Sequence, residues 1–332
     1  MTGSLLNEVR AGYRPLGSSI YSSGTNGYWS CLTKKESDWL SDALKTMDSR
    51  DAILKIRPDL FDVIFSEQRS VGLELLELSG NEICIDYGCM WGALTIPLAK
   101  RCRYVLGIDQ TLDSLIFLRA RIKENNLQNV ELLCENLKNV PVFQSKADIA
   151  IVNGVLEWIP EEGDIELSEY YGKRQTRHYE GNPCGKQVSF LRMVCDNLKG
   201  SGKLYLAIEN RYDFKQFFGV KDPHVGIRFV SILPRFLSDI ISKVQLRRPY
   251  VNWLYSFNAL KALLHNAGFN TVELYATFPH YSFPQAIVPY SLGLRHHTPT
   301  VKRRVGRIVE RILFSYLKLR YFAPSIIALA MK

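Results

Sequence analysis

From Glu82 to Asn210 short apolar runs alternate with segments of helical periodicity, and this alternation narrows the possible folds more than any other feature of the chain. The runs EICIDYG, YVLGID, VELLC, ADIAIVNG and LYLAIEN read as strands. Between them lie LTIPLAK, SLIFLRARIKEN and a stretch around Gln187–Leu198 with helical spacing, the last followed by the turn KGSGK. Strands separated by helices form βαβ units and a parallel sheet, so the fold class is α/β. Right-handed crossovers bring the carboxyl ends of the strands to one edge, where ligands of such sheets bind.

The flanks have a different texture. Residues 1–35 are rich in Gly, Ser and Tyr and read as an irregular arm. Helical spacing follows at Trp39, Leu40, Ala43 and Leu44, then at Val71, Leu75, Leu76 and Leu78, with a break at Pro58. Past the alternating region, the segment from Ile159 to Gly185 is long and polar enough to serve as a lid. A second excursion after Asn210 carries Pro223, Pro234 and Pro249. A helix over Ser256–Ala267 then leads to TVELYAT and QAIVP, which read as an antiparallel hairpin closing the sheet. The division expected is an arm with helices over 1–65, a sheet domain over 66–292 with insertions at 159–186 and 211–252, and a basic C-terminal helix over 293–332.

Charge sharpens the reading of that last segment. The chain carries a net +9, yet Arg295 to Lys332 holds nine Lys or Arg against the single acid Glu310, leaving about +1 for the rest. Val305, Ile308, Ile312, Leu313 and Leu317 recur at helical spacing within it, so the tail is expected to pack on the body, pair with a second copy, or lie on an anionic membrane surface. The sequence leaves the oligomeric state open. No apolar run reaches the ~18–20 residues of a bilayer span, and the N-terminus lacks the pattern of a secretory signal. Seven scattered cysteines with no CxxC pair fit a reducing cytoplasm, with the tail at the inner face of the membrane.

The chemistry-bearing constellation is Asp86-Tyr87-Gly88-Cys89-Met90-Trp91-Gly92 at a strand-to-helix turn. Glycines there allow close approach of a ligand to the backbone, and the helix start supplies N–H groups. Asp109 ends the next strand, where a carboxylate accepts hydrogen bonds from ribose hydroxyls. Both features suit a nucleotide, NAD included. ADIAIVNGVLEWIP, which breaks at Asn153-Gly154 into an apolar-acid-aromatic run, is not part of a dehydrogenase fingerprint.

With these residues the chain resembles the class I S-adenosylmethionine-dependent methyltransferases, from about Ser66 to Pro289. The resemblance implies a Rossmann-like, mostly parallel seven-stranded sheet and S-adenosyl-L-methionine as cofactor. It assigns the methionine end of the cofactor to Asp86, Gly88 and Gly92, the ribose to Asp109 with Gln110 beside it, the adenine to Glu135 and Asn136, and the strand-four loop to Asn153 through Glu157. Met90 stands where the family usually has glycine, and a left-handed backbone there would cost it ~1–2 kcal/mol. GALTIPLA, NGVLEWIP, LAIENRYDFKQFFGVKDPH and YATFPHYSFPQAIVP are similar to a subgroup associated with bacterial surface-polysaccharide and glycolipid assembly.

That narrower similarity implies O-methylation of a sugar, glycan or glycolipid hydroxyl, which needs a base for its proton. Glu157, Glu209 and His224 are the candidate bases, with His280 and Tyr281 placed further away. For Glu209-Asn210-Arg211 the bland alternative is a Glu–Arg pair holding the loop. No carboxylate–histidine cluster shows ligand spacing along the chain, so no metal is expected, and His296-His297 reads as solvated. Late aromatics (Tyr250, Trp253, Tyr255, Phe257, Tyr275, Phe278, Tyr281, Phe283, Tyr290) are expected mostly in the core, or stacked on sugar rings. Two other functions fit less of the sequence. An RNA or DNA methyltransferase would use the basic tail on phosphates, but Asn153-Gly154-Val155-Leu156 lacks the pattern of base-amine enzymes. A catalytically silent scaffold rests on Met90 alone.

Overall fold

The computed structural model describes the chain apart from residues 1–4, 9–11, 17–18, 25–26, 162–164, 167–180, 292–298 and 301–303. Most of the lid segment and both His296 and His297 therefore lie outside the described residues. The strands are β1 (Arg14–Pro15), β2 (Ile20–Ser22), β3 (Trp29–Ser30), β4 (Ile83–Tyr87), β5 (Tyr104–Asp109) and β6 (Val130–Cys134), followed by β7 (Ala147–Asn153), β8 (Ile165–Glu166), β9 (Leu198–Glu209), β10 (Thr271–Phe278), β11 (Ala286–Pro289) and β12 (Ser325–Met331).

Ten of them make one sheet in the order β1-β2-β6-β5-β4-β7-β9-β12-β10-β11, and β3 and β8 form a separate parallel pair. From β2 through β9 all neighbours in the large sheet are parallel. The β9–β12, β12–β10 and β10–β11 pairings are antiparallel. The α/β class and the antiparallel hairpin are thus as expected, while the strand count is ten where seven were anticipated. β1 and β2, from the arm read as irregular, extend one edge beside β6.

The other added strand corrects the reading of the tail. Among the described residues of the tail, Arg304–Arg311 is α-helical, continued by a wider π-helical turn through Tyr316 and followed by a short 3-10 turn at Arg320–Phe322. After Pro324 the run SIIALAM becomes β12, inserted between β9 and the hairpin. Six apolar residues in a row, Ile326 to Met331, suit a strand buried on both faces as well as a buried helix, and periodicity cannot separate the two. Of the expected stripe, Val305, Ile308, Ile312 and Leu317 stay exposed, whereas Leu313 packs against the main core.

The sheet is covered on both faces because its side chains alternate. Ile83, Ile85 and Tyr87 of β4 join one core, with Leu106 and Ile108 of β5 and Ile326, Ala328 and Ala330 of β12. Cys84, Val105 and Ile327 face the opposite core. A third cluster lies under the N-terminal helices Lys34–Ala43 and Ser49–Ile56, where Leu40, Ala52 and Ile53 pack against Trp91 and Phe117. Each of these helices begins at a side-chain cap: Thr33 in a reciprocal capping box with Glu36, and Asp48 accepting from the Asp51 N–H.

Candidate active site

The chain runs outward from β4 through β5 to β6, then crosses back to lay β7 on the other side of β4. This reversal opens a crevice at the carboxyl ends of β4 and β7, the usual ligand position in such sheets. A cavity of about 390 Å³ occupies it, within the range of small-molecule sites. Asp86, Gly88, Met90, Asp109, Gln110, Asn136, Asn153, Glu157, Glu209 and His224 all line it.

The turn after β4 is shaped by left-handed residues. Gly88 sits at φ +73°, and a Cβ there would lie 2.5 Å from Val155 Cγ2, so only glycine lets the turn close on the β7 loop. Met90 occupies the left-handed region at φ +46° and carries the strain of ~1–2 kcal/mol that a side chain incurs there. Its backbone N–H donates to Asp109 Oδ2 at 2.9 Å, which fixes the strained residue. Trp91 turns into the third cluster against Phe117, ring centroids 6.3 Å apart, and its carbonyl accepts from Arg121. The crevice is therefore open despite both bulky residues.

Asp109 accepts the Thr111 N–H on Oδ1 (2.9 Å) and the Met90 N–H on Oδ2, which holds its carboxylate at the cavity wall. Burial raises its pKa to about 6, against the pull of the Thr111, Met90 and Gln110 N–H groups and the Thr111 hydroxyl. Asp86 accepts from Thr95 Oγ at 2.7 Å, and burial pushes its carboxyl up to about 7. Two residues assigned to the cofactor do not reach the cavity. Gly92 instead packs against Leu118, whose Cδ1 would lie 2.2 Å from a Cβ, and Glu135 lies toward the arm, beside Tyr13. Successive residues of an extended segment face opposite ways, so Asn136 reaches the crevice and Glu135 does not.

At the other end of the crevice three distant residues converge. Glu157 lies on the turn Leu156–Trp158 after β7. Buried Gln187 clamps this turn by donating to Leu156 O at 2.8 Å, while Asn252 donates to Glu157 O at 3.2 Å. Glu209 ends β9, and Asn210 beside it donates to Tyr321 O and Ala323 O, tying that end to the segment leading into β12. His224 is presented by a turn in which Asp222 Oδ1 accepts the N–H groups of His224 and Val225. His224 Nε2 lies 3.7 Å from Glu157 Oε1 and 3.6 Å from Glu209 Oε2, and Nδ1 lies 3.3 Å from Asp222 Oδ1.

His280, expected further away, places Nε2 3.1 Å from Glu209 Oε1; its Nδ1 accepts from the Ser282 N–H, so Nε2 carries the proton. Burial opposes charge on His224, but Glu209, Asp222 and Glu157 together hold its pKa well above the ordinary value. Burial, then the Glu209 charge, raise Glu157; Glu209 itself is pulled below the usual carboxylate range because His224 and His280 outweigh burial. The alternative Glu209–Arg211 pair does not form: Arg211 donates to the carbonyls of Ser231 and Leu233. The expectation of no metal-type cluster is likewise corrected, because the donor atoms of Glu157, Glu209 and His224 all lie within 4.8 Å of one another. Spacing along the chain cannot reveal a cluster drawn from three loops.

Two contributors escaped the sequence reading. Arg69 lines the cavity half-buried, with its Nε out of solvent and unpartnered and no acidic partner among the described residues. Nothing in SEQRSVG distinguishes it from a surface arginine. Trp29 is held by a reciprocal pair of hydrogen bonds with Thr111 and packs edge-on to Trp158 at 5.2 Å, which in turn packs on His224 at 5.1 Å. Of the late aromatics only Tyr281 lines the cavity, its hydroxyl over Gly154.

Residues 84–171 match a family model described as a methyltransferase domain. The chain is similar over 98 residues, at 26% identity, to a probable cobalt-precorrin-6B C(15)-methyltransferase (decarboxylating) of Methanococcus vannielii, covering 30% of this chain and 54% of that protein. Over 95 residues it is 25% identical to a 23S rRNA (uracil(1939)-C(5))-methyltransferase of Legionella pneumophila, covering 29% of this chain and 21% of the relative. The chain thus spans about half or less of these curated relatives. Among solved structures, an S-adenosylmethionine-dependent methyltransferase of Thermotoga maritima, described as a possible histamine N-methyltransferase, aligns at TM-score 0.47 and 13% identity over 86% of this chain and 98% of that one.

Proposed function

We propose, from the match of residues 84–171 to a methyltransferase domain, that the chain is a class I S-adenosylmethionine-dependent enzyme that methylates a hydroxyl oxygen of a sugar, glycan or glycolipid. The cofactor, when bound, supplies a methyl group activated on a positively charged sulfur. The residues present fit it. Asp109 offers two acceptors for ribose hydroxyls, and Gln110 and Asn136 line the adenine end beside Trp29. Gly88 opens the turn for the amino-acid end, and Arg69, which lines the same cavity, is the cation available to a carboxylate.

The observation that carries the acceptor assignment is the convergence of Glu157, Glu209 and His224 on the cavity. A neutral hydroxyl is a weak nucleophile until its proton is removed, and this cluster holds several acceptors for it. Trp158 and Tyr281 add aromatic surface on which a sugar ring packs. The exposed stripe Val305, Ile308, Ile312 and Tyr316, flanked by Arg304, Arg307 and Arg311, suits an anionic membrane surface carrying a lipid-linked acceptor. Among the described residues no helix is long and apolar enough to cross a membrane.

The test is incubation of the purified chain and S-adenosylmethionine with cell-derived glycan, glycolipid and RNA fractions. A one-methylene mass gain in the glycan or glycolipid fraction, lowered ~100-fold or more by Glu157→Gln, is expected. Methyl transfer to RNA alone contradicts the proposal.

A further inference from the structure

We propose that Glu157, Glu209 and His224 form a binding site for a divalent metal ion at the acceptor end of the cavity. The inference rests on the reading of this end as the acceptor side. The two N–O separations of 3.6 and 3.7 Å are too long for good hydrogen bonds. They lie within a few tenths of an ångström of the spacing between ligands on one ion, since bonds of ~2.0–2.2 Å set tetrahedral neighbours ~3.3–3.6 Å apart.

The unsatisfied atoms point the same way. Glu157 Oε2 and Glu209 Oε2 are buried without a hydrogen-bond partner, although Glu157 is only 1% exposed. Leaving buried carboxylate oxygens unpaired is costly, so such orphans call for a ligand. Charge is also unbalanced. Glu157, Glu209 and Asp222 meet only His224 and His280, and no Lys or Arg pairs with them among the described residues. A dication removes the deficit.

An outer shell is in place as well. Asp222 stands 3.3 Å from His224 Nδ1 and takes a hydrogen bond from Tyr250 Oη; Nδ1 makes no hydrogen bond in this geometry, but a small turn of the ring would let it donate to Asp222 with Nε2 forward. His280 holds the far oxygen of Glu209, leaving Oε2 for the ion. Two carboxylates with one imidazole suit a cation of the Mn²⁺ or Zn²⁺ type. Because all three side chains face the cavity, the remaining coordination positions open toward the acceptor, where the ion would hold an oxygen and stabilise its deprotonated form.

The experiment is titration of the full chain, stripped by chelation, with Mn²⁺, following loss of the free-ion electron paramagnetic resonance signal. One site per chain is expected, weakened at least tenfold in Glu157→Gln and in Glu209→Gln, and ~10–100-fold in Asp222→Asn. Circular dichroism of each variant separates lost ligation from lost folding, and the Glu209→Gln change keeps the side-chain shape. A free-ion signal unchanged by the protein, or a site indifferent to both glutamine variants, overturns the proposal and leaves a protonated His224 among carboxylates. S-adenosylhomocysteine titrated separately reports on the cofactor site, so failure of one reading is visible without the other.

Discussion

Gly154→Ala tests how the two ends of the crevice are joined. Gly154 follows β7 at φ +68°, and an added Cβ would lie 2.3 Å from Tyr281 Oη and 3.1 Å from Cζ. The left-handed conformation alone costs alanine ~1–2 kcal/mol. Displacing the buried Tyr281 ring adds ~1–3 kcal/mol, the range for overpacked sites. Tyr281→Phe deletes the colliding oxygen and by itself costs ~1 kcal/mol. In that background Gly154→Ala should lose the conformational part and only a fraction of the packing part, from the remaining close contact with Cζ. The double-mutant cycle, read from denaturant midpoints at constant slope, is expected to show ~1–3 kcal/mol of mutual rescue. Additive losses, with coupling under ~0.5 kcal/mol, would refute the seating of Tyr281 over Gly154.

Other consequences are as direct. With its pKa near 6 in the folded chain, Asp109 is mostly protonated at about pH 5 and ionised at about pH 8, so calorimetric affinity for S-adenosylhomocysteine should rise ~10-fold across that interval and become flat in Asp109→Asn. Stability of the ligand-free chain runs the other way: a carboxyl raised above its unfolded value contributes at low pH and loses that contribution as pH climbs from about 4 to about 6, which acid-range denaturation of the same pair checks. Arg69→Met should weaken S-adenosylhomocysteine ~10-fold while sparing adenosine, which lacks the carboxylate; equal losses for both contradict the pairing. Sedimentation with phosphatidylserine vesicles should retain the chain, and Val305→Asp with Ile308→Asp should release it; retention equal to that on neutral vesicles counts against the membrane reading.

The parts legible in the sequence were those with local signals. Runs such as ICIDY and YVLGID alternate with helices, and Gly88 with Asp109 marks the ligand edge, so the sheet and half the crevice follow from spacing. The run SIIALAM was ambiguous because burial on both faces erases periodicity, and its place between β9 and β10 depends on partners far away in sequence. Glu157 and Glu209 could be placed at strand ends, but the direction of His224 is set by the Asp222 turn, which only the fold aims at them. Arg69 carried no local signal at all.

Crystals of the chain soaked with S-adenosylhomocysteine provide the most direct test. The account predicts adenosine lying across the ends of β4 and β5, both ribose hydroxyls within hydrogen-bond distance of Asp109 and the amino-acid end at the Gly88 turn. Ligand bound elsewhere, or a crevice filled by the side chain of Met90 or Trp91, would contradict it.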